Sequence, residues 1–284
     1  MDTTVKIIEC PRDAMQGIRT FISTKAKVAY INALLGVGFD TIDFGSFVSP
    51  RAIPQMRDTA KVLSKLDLST SKSKLLAIVA NIRGTKDACH FEEIDYLGFP
   101  FSISENFQMR NTHKTIQESV VVLEEILNLA TQSNKEIVVY LSMGFGNPYG
   151  DSWNVDIVAK WTAVLSAMGV EIISLSDTVG TATPNDISYL FSHLISDYPK
   201  LEFGAHFHTH YHTWKDKIDA AFTSGCRRFD GAIKGYGGCP MAKDELLGNM
   251  PTEKLLSYFT SKQVLTGVKP LFFESAFNAS LQVF

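Results

Sequence analysis

The chain has 284 residues, 45% of them hydrophobic and 11% aromatic, which excludes a disordered polypeptide and is enough for one large core. A formal net charge of −3, with no basic run longer than Arg227-Arg228, argues against nucleic acid or a polybasic membrane anchor and for a small-molecule partner. Cys10, Cys89, Cys226 and Cys239 show no C-x-x-C spacing, and no leader or membrane-spanning apolar run is evident, so reduced thiols in the cytoplasm are expected.

In chain order, eight apolar runs read as strands: 5–10 (VKIIEC), 39–46 (FDTIDFGS), 75–81 (LLAIVAN), 95–102 (DYLGFPFS), 136–143 (EIVVYLSM), 170–177 (VEIISLSD), 201–208 (LEFGAHFH) and 227–235 (RRFDGAIKG). Helix start signals fall between them. Ser23-Thr24 precedes 25–35, Asn111-Thr112 precedes an amphipathic stretch to about residue 134, and Pro184-Asn185-Asp186 precedes 187–195.

Strands that are apolar throughout and alternate with helices predict a parallel sheet buried on both faces. Eight such repeats favour an α/β fold closed into a (β/α)8 TIM barrel. The first βα turn, "CPRDAMQG", lacks the G-x-G-x-x-G of a dinucleotide-binding sheet. No linker interrupts the series, so 1–284 reads as a single barrel domain, with 263–284 as a C-terminal helical extension. In that tail, Phe273, Phe277 and Leu281 recur at helical spacing and predict a face for core capping or a subunit interface.

A barrel of this type builds its site where the strands end. The strand ends here carry Arg12 and Asp13, Asp43 and Ser46, Asn81, Ser104 and Glu105, Ser142, Asp177, His206 and His208, and the glycine-rich turn of Cys239. Polarity where strands emerge into water accounts for about half of these positions. It accounts less well for "HFH".

The segment "HFHTHYH" holds four of the seven histidines. If the strand runs through it, His206 and His208 share the inward face, which is a metal-ligand geometry. A satisfied, partly buried pair is the plain alternative unless further ligands converge. Asp13 and Asn249 can supply them, and Asp13, His206, His208 and Asn249 would form a mixed oxygen and nitrogen set suited to Mg²⁺ or Mn²⁺. Zinc enters if Cys239 is a ligand. The segment "GYGGCPMA" is either a loop that closes over the site and delivers the Cys239 thiol, or a plain turn with an incidental cysteine. His210 and His212 lie past the strand, in a loop.

The segments "IIECPRDAMQG", "TIDFGSFVSPRAIPQM", "SISENFQMRN", "EIISLSDTVGTATP", "HFH" and "GGCPMAKDELLGNMPTE" together resemble the hydroxymethylglutaryl-CoA lyase family. The likeness spans essentially the whole chain. It implies divalent-metal-dependent cleavage of 3-hydroxy-3-methylglutaryl-CoA to acetyl-CoA and acetoacetate, as in leucine degradation or another acyl-CoA route. By the same resemblance, Asp13, His206, His208 and Asn249 take the metal-ligand positions, Arg12 the enolate-stabilising position, and Asp177 and Cys239 catalytic positions. Asp43 stands where many relatives carry Glu. Gln16, Ser46, Asn81 and Ser104 join Arg12 as expected substrate contacts, the substrate being an acyl-CoA and the assembly a homodimer.

The chemistry requires a base for the tertiary hydroxyl and a cation for the thioester enolate. His206 or Asp177 could move the proton. The chain departs from the family at Ala14, at Asp43 and over 209–212, which bears on substrate scope. Three other readings are weighed against it: a synthase condensing acetyl-CoA with a 2-oxo acid, for which too few residues follow the last helix-like segment; an aldolase acting on 4-hydroxy-2-oxo acids; and a non-catalytic barrel, against which the presence of all the site residues speaks.

Overall fold

The computed structural model describes residues 4–210, 212–238 and 247–284. Eight strands alternate with helices: β1 (Lys6–Glu9), β2 (Thr41–Ser46), β3 (Lys74–Ile78), β4 (Tyr96–Ser102), β5 (Glu136–Ser142), β6 (Ile172–Asp177), β7 (Glu202–Thr209) and β8 (Arg228–Gly231). Each pairs in parallel with the next, and β1 pairs with β8, so the sheet closes into a (β/α)8 barrel without an edge. A ninth strand, β9 (Gly248–Asn249), lies antiparallel to the end of β7 and sets Asn249 opposite His208.

The helices are α1 (Pro11–Gln16), α2 (Thr24–Val37), α3 (Thr59–Leu63), α4 (Ile82–Cys89), α5 (Glu105–Thr112), α6 (Ile116–Gln132), α7 (Val155–Ala167), α8 (Pro184–Asp197), α9 (Trp214–Thr223), α10 (Thr252–Ser261) and α11 (Pro270–Ser280). Ser23 caps α2 through Ala26 N, as its start signal predicts. The stretch expected to begin a helix at Asn111-Thr112 is instead the end of α5. His113 turns left-handed there, at φ 56°, and α6 begins afresh behind a Thr115/Glu118 capping box. The eighth run is also shorter than expected, because Lys234 at φ 62° bends the chain into a 3₁₀ turn over Ile233–Gly235.

Alternation along each strand divides the chain into two interiors. Leu75, Ala77 and Val79 face the helices, whereas Leu76 and Ile78 join Tyr96, Val138, Tyr140 and Ile172 inside the barrel. The same parity sends Phe203, Ala205 and Phe207 outward and leaves His206 and His208 inward at the mouth. Charges close the opposite end, where Lys6 and Arg228 both reach Glu202, at 2.7 and 3.5 Å. The C-terminal α11 lies against α2, and Phe284 stacks on Tyr236 at 4.3 Å in the loop after β8. That tail therefore braces a loop at the mouth.

Glu9 is the one carboxylate of β1 and points outward, away from water. It accepts hydrogen bonds from Ile233 N at 2.9 Å and Thr252 Oγ1 at 2.6 Å, tying β1 to the start of α10. Burial pushes its carboxyl up to about 8, against the pull of those two bonds. A folded-state value raised above the ordinary 4.5 favours the folded protein fully at low pH, and that contribution is lost as pH rises through about 8. Glu9→Gln keeps an acceptor without the charge. Urea unfolding across this window should show wild-type stability falling relative to the variant by on the order of a few kcal/mol; parallel pH profiles would refute the assignment.

Candidate metal centre and active site

The first βα turn delivers two functional side chains at once. Pro11 at the first position of α1 starts the helix directly after Cys10, so Arg12 and Asp13 sit over the barrel mouth and Gln16 lies one turn on. Asp13 accepts from Arg12 Nη1 at 2.9 Å, Gln16 Nε2 at 2.5 Å and Asn249 Nδ2 at 2.7 Å. Arg12 turns its remaining fork to Asp43, with Nη2 at 2.5 Å and Nε at 3.0 Å from Oδ2.

Asp13, His206 and His208 each bring one ligand atom within 4.8 Å of the others, so the fold assembles them from β7 and the β1 turn as a group able to hold a metal. The hydrogen bonds behind them say which atoms are free. His208 Nδ1 lies 2.8 Å from the Thr178 carbonyl, which can only accept, so Nδ1 carries the proton and Nε2 the lone pair. That Nε2 is buried and has no hydrogen-bond partner among the described residues. His206 Nδ1 is held by Asp230 Oδ2 at 3.0 Å. Asn249 donates its Nδ2 to Asp13 and to Tyr236 O, which leaves its oxygen as a fourth donor atom. One carboxylate oxygen, two imidazole nitrogens and an amide oxygen suit a divalent cation.

Electrostatics favour the ligand forms of Asp13 and His208. Burial pushes the Asp13 carboxyl up, but Arg12, His206, His208 and the Asn249 bond outweigh it and hold it below the ordinary value. His208 is lowered, by burial and then by His206, and so is kept neutral. Burial works against protonation of His206 too, but Asp230 overcomes it and raises this ring. Asp43, fully buried, is pushed up to about 6 despite Arg12. Arg12 itself moves upward under Asp43 and Asp13, against desolvation, and stays cationic.

The other expected residues divide by location. Ser46 lies at the end of β2 but accepts from Val48 N. Asn81 and Ser104 spend their side-chain oxygens capping α4 and α5, and Ser104 also donates to Asp151 at 2.5 Å, so neither joins the cluster. Cys239 lies outside the described residues. On its approach, Gly237 at φ 89° passes so close that a Cβ would stand 2.7 Å from Asp13 O.

Asp177, expected at a catalytic position at the end of β6, leaves that strand on the face opposite to the one His206 shares. In register, Ser176 pairs with His206 and Asp177 with Phe207, so the carboxylate leaves β6 toward the helices. There it meets Lys217 at 2.6 Å and Ala182 N at 3.2 Å. Thr178, Lys217 and Asp230 escaped the sequence reading. For Asp230 a signal existed, since it alternates with Arg228 on the inward face of β8.

The family model described as HMGL-like matches residues 4–275. The hydroxymethylglutaryl-CoA lyase YngG of Bacillus subtilis is 31% identical over 259 residues, covering 91% of this chain and 86% of its own. The cytoplasmic 3-hydroxy-3-methylglutaryl-CoA lyase of Rattus norvegicus is 32% identical over 265 residues, covering 93% and 76%. Among solved structures, a hydroxymethylglutaryl-CoA lyase from Pseudomonas aeruginosa superposes with a TM-score of 0.92 at 28% identity, covering 100% of this chain and 94% of that one. The HMG-CoA lyase from Acinetobacter baumannii, solved with coenzyme A and 3-methylmalate, gives 0.91 at 27% identity, covering 99% and 91%. Matched by that family model over nearly its whole length and by relatives more than 30% identical, this protein belongs to the HMGL-like family.

Proposed function

We infer that this carbon–carbon lyase cleaves 3-hydroxy-3-methylglutaryl-CoA to acetyl-CoA and acetoacetate. The observation that carries the reading is the convergence of Asp13, His206 and His208 at the barrel mouth, with the Arg12 guanidinium bonded to the same carboxylate. Relatives named for this reaction, one of them solved with coenzyme A, support the substrate.

Asp13, His206, His208 and Asn249 would hold a divalent cation, Mg²⁺ or Mn²⁺ by the hardness of the oxygen donors, and that ion when bound supplies positive charge that acidifies the tertiary hydroxyl. Everything else is the work of side chains already in place. His206 has only Nε2 to offer, since Nδ1 is held by Asp230, so it would serve either as a ligand to the cation or, with that nitrogen free, as the candidate proton acceptor whose imidazolium Asp230 stabilises. Asp177, turned to the helical layer, is left without that role. Arg12, cationic and fixed between two carboxylates, is the candidate partner for charge that develops on the thioester oxygen when the acetyl unit leaves as an enolate. A charged group held in position needs no reorganisation when that charge appears. Gln16, Ser46, Asn81 and Ser104 remain candidate substrate contacts, and Cys239, outside the described residues, a candidate proton donor to the enolate carbon. The reading extends to a cytoplasmic homodimer, supported by free thiols at Cys10, Cys89 and Cys226 and by the exposed apolar Leu271 and Phe272 of α11.

Three measurements test these assignments. Purified protein supplied with Mg²⁺ or Mn²⁺ should release acetoacetate from the HMG thioester; release of pyruvate from a 4-hydroxy-2-oxo acid instead would transfer the site to an aldolase. Arg12→Lys keeps the charge between Asp13 and Asp43 but loses the planar fork, so kcat should fall by about 10²-fold with little change in Tm. Wild-type turnover in that variant would remove Arg12 from the reaction. Finally, Mn²⁺ titration followed by electron paramagnetic resonance should show His208→Ala weakened by at least about 10-fold and His210→Ala unchanged. Equal loss in both would mean that the two histidines are not divided as the strand places them.

A further inference from the structure

Lys217 belongs to α9, outside the barrel, yet it is only 2% exposed. An ammonium in that setting must place three N–H donors and balance its charge. It does both with acceptors that converge on one end of the barrel. Nζ donates to Asp177 Oδ2 at 2.6 Å, to Gly180 O at 2.9 Å and to His208 O at 3.1 Å.

The third of these acceptors is the backbone of a candidate metal ligand. The first two belong to the end of β6 and the turn that follows it. Between them lies Thr178, whose carbonyl takes the His208 Nδ1 proton at 2.8 Å and whose hydroxyl accepts from Met143 N at 2.9 Å. The ammonium thus grips both the main chain that carries the His208 ring and the segment that orients it. The turn is shaped for this contact: Gly180 sits at φ 70° and is packed under Leu247, where a side chain would collide.

We propose that Lys217 is a positioning residue for the metal centre, acting with Asp177 to hold His208 so that its Nε2 faces Asp13 and His206. The inference rests on the metal reading of the site. It gives the Asp177 carboxylate a task from the helical layer that it cannot perform at the mouth. Stability alone accounts for three acceptors around the ammonium, but not for which groups they are: two of them are the backbone of His208 and of the turn that orients its ring.

Buried ion pairs can often be replaced by neutral groups at little cost, whereas removing one partner leaves an uncompensated charge. That asymmetry separates the two roles. Three proteins are compared: wild type, Lys217→Met, and Lys217→Met combined with Asp177→Asn, which removes the stranded charge and keeps an acceptor for Ala182 N. Each is measured for Tm, for Mn²⁺ affinity by electron paramagnetic resonance, and for the His208 ring tautomer by ¹⁵N NMR without metal. The single variant should lose Tm. The double variant should regain it, yet still bind Mn²⁺ about 10-fold more weakly or worse and show a mixed His208 tautomer.

Recovery of Tm, affinity and tautomer together would make Lys217 a structural residue and overturn the proposal. If the single variant fails to fold, the double variant carries the comparison alone. If wild type binds no Mn²⁺, the metal reading fails by itself, and the tautomer still decides: an Nδ1–H tautomer in wild type lost in the double variant supports positioning by Lys217, and an unchanged one refutes it.

Discussion

The site depends on one buried carboxylate. Asp13 accepts from Arg12, Gln16 and Asn249, groups that arrive from its own helix and from β9, and Arg12 carries the link onward to Asp43 of β2. Such a carboxylate is costly to bury, and only a surplus of donors and positive charge makes it stable in ionised form. The surplus is visible in the direction of its titration, held low against full burial. It also explains why the parts of the mouth are interdependent: the residue that would bind a cation is the residue that orients the arginine.

Much of the architecture was legible because the barrel strands are apolar throughout and the spaces between them are helical in period. Alternation within "HFH" also identified the inward pair, since period-two geometry leaves no choice once the strand is granted. The same rule, applied to "SLSD", would have turned Asp177 outward. Strand-end position alone points the other way, and the partner that draws the carboxylate outward, Lys217, is 40 residues distant in sequence. Asn111-Thr112 misled for a different reason. A residue able to cap a helix start can equally end the preceding one, and the left-handed His113 that decides between them leaves little trace in composition. Asn81 and Ser104, also at strand ends, cap α4 and α5 with their side-chain oxygens, a use that strand-end position does not reveal.

The departures from the family pattern acquire a physical meaning in the fold. Asp43 lacks a methylene that many relatives carry, yet its carboxylate still reaches Arg12 through two guanidinium nitrogens. Placed this close and fully buried, it is pushed up to about 6 even with its partner present. Its carboxyl is therefore closer to taking up a proton than a solvated aspartate would be. Ala14 adds a methyl group in a narrow place, where Gly237 passes with no room for a side chain of its own. Gly237 is thus required by the backbone of the first turn and by Asn249, not only by any need for motion.

Every candidate metal ligand has its other polar atoms engaged by the protein. His206 is held by Asp230, His208 by Thr178, Asn249 by Tyr236 O, and Asp13 by Arg12 and Gln16. An unsupported imidazole could rotate or exchange tautomers and would have to be ordered as a cation arrived; here that ordering is carried out by folding. Its cost falls on burying charges such as Asp230 and Lys217 away from water. The fold can carry that cost because the two apolar interiors, inside the barrel and around it, supply stability without using any residue of the mouth. The outward parity serves stability throughout, whereas the inward parity is divided between an apolar interior and the chemistry of the strand ends, and a few buried polar contacts at the rim join the two.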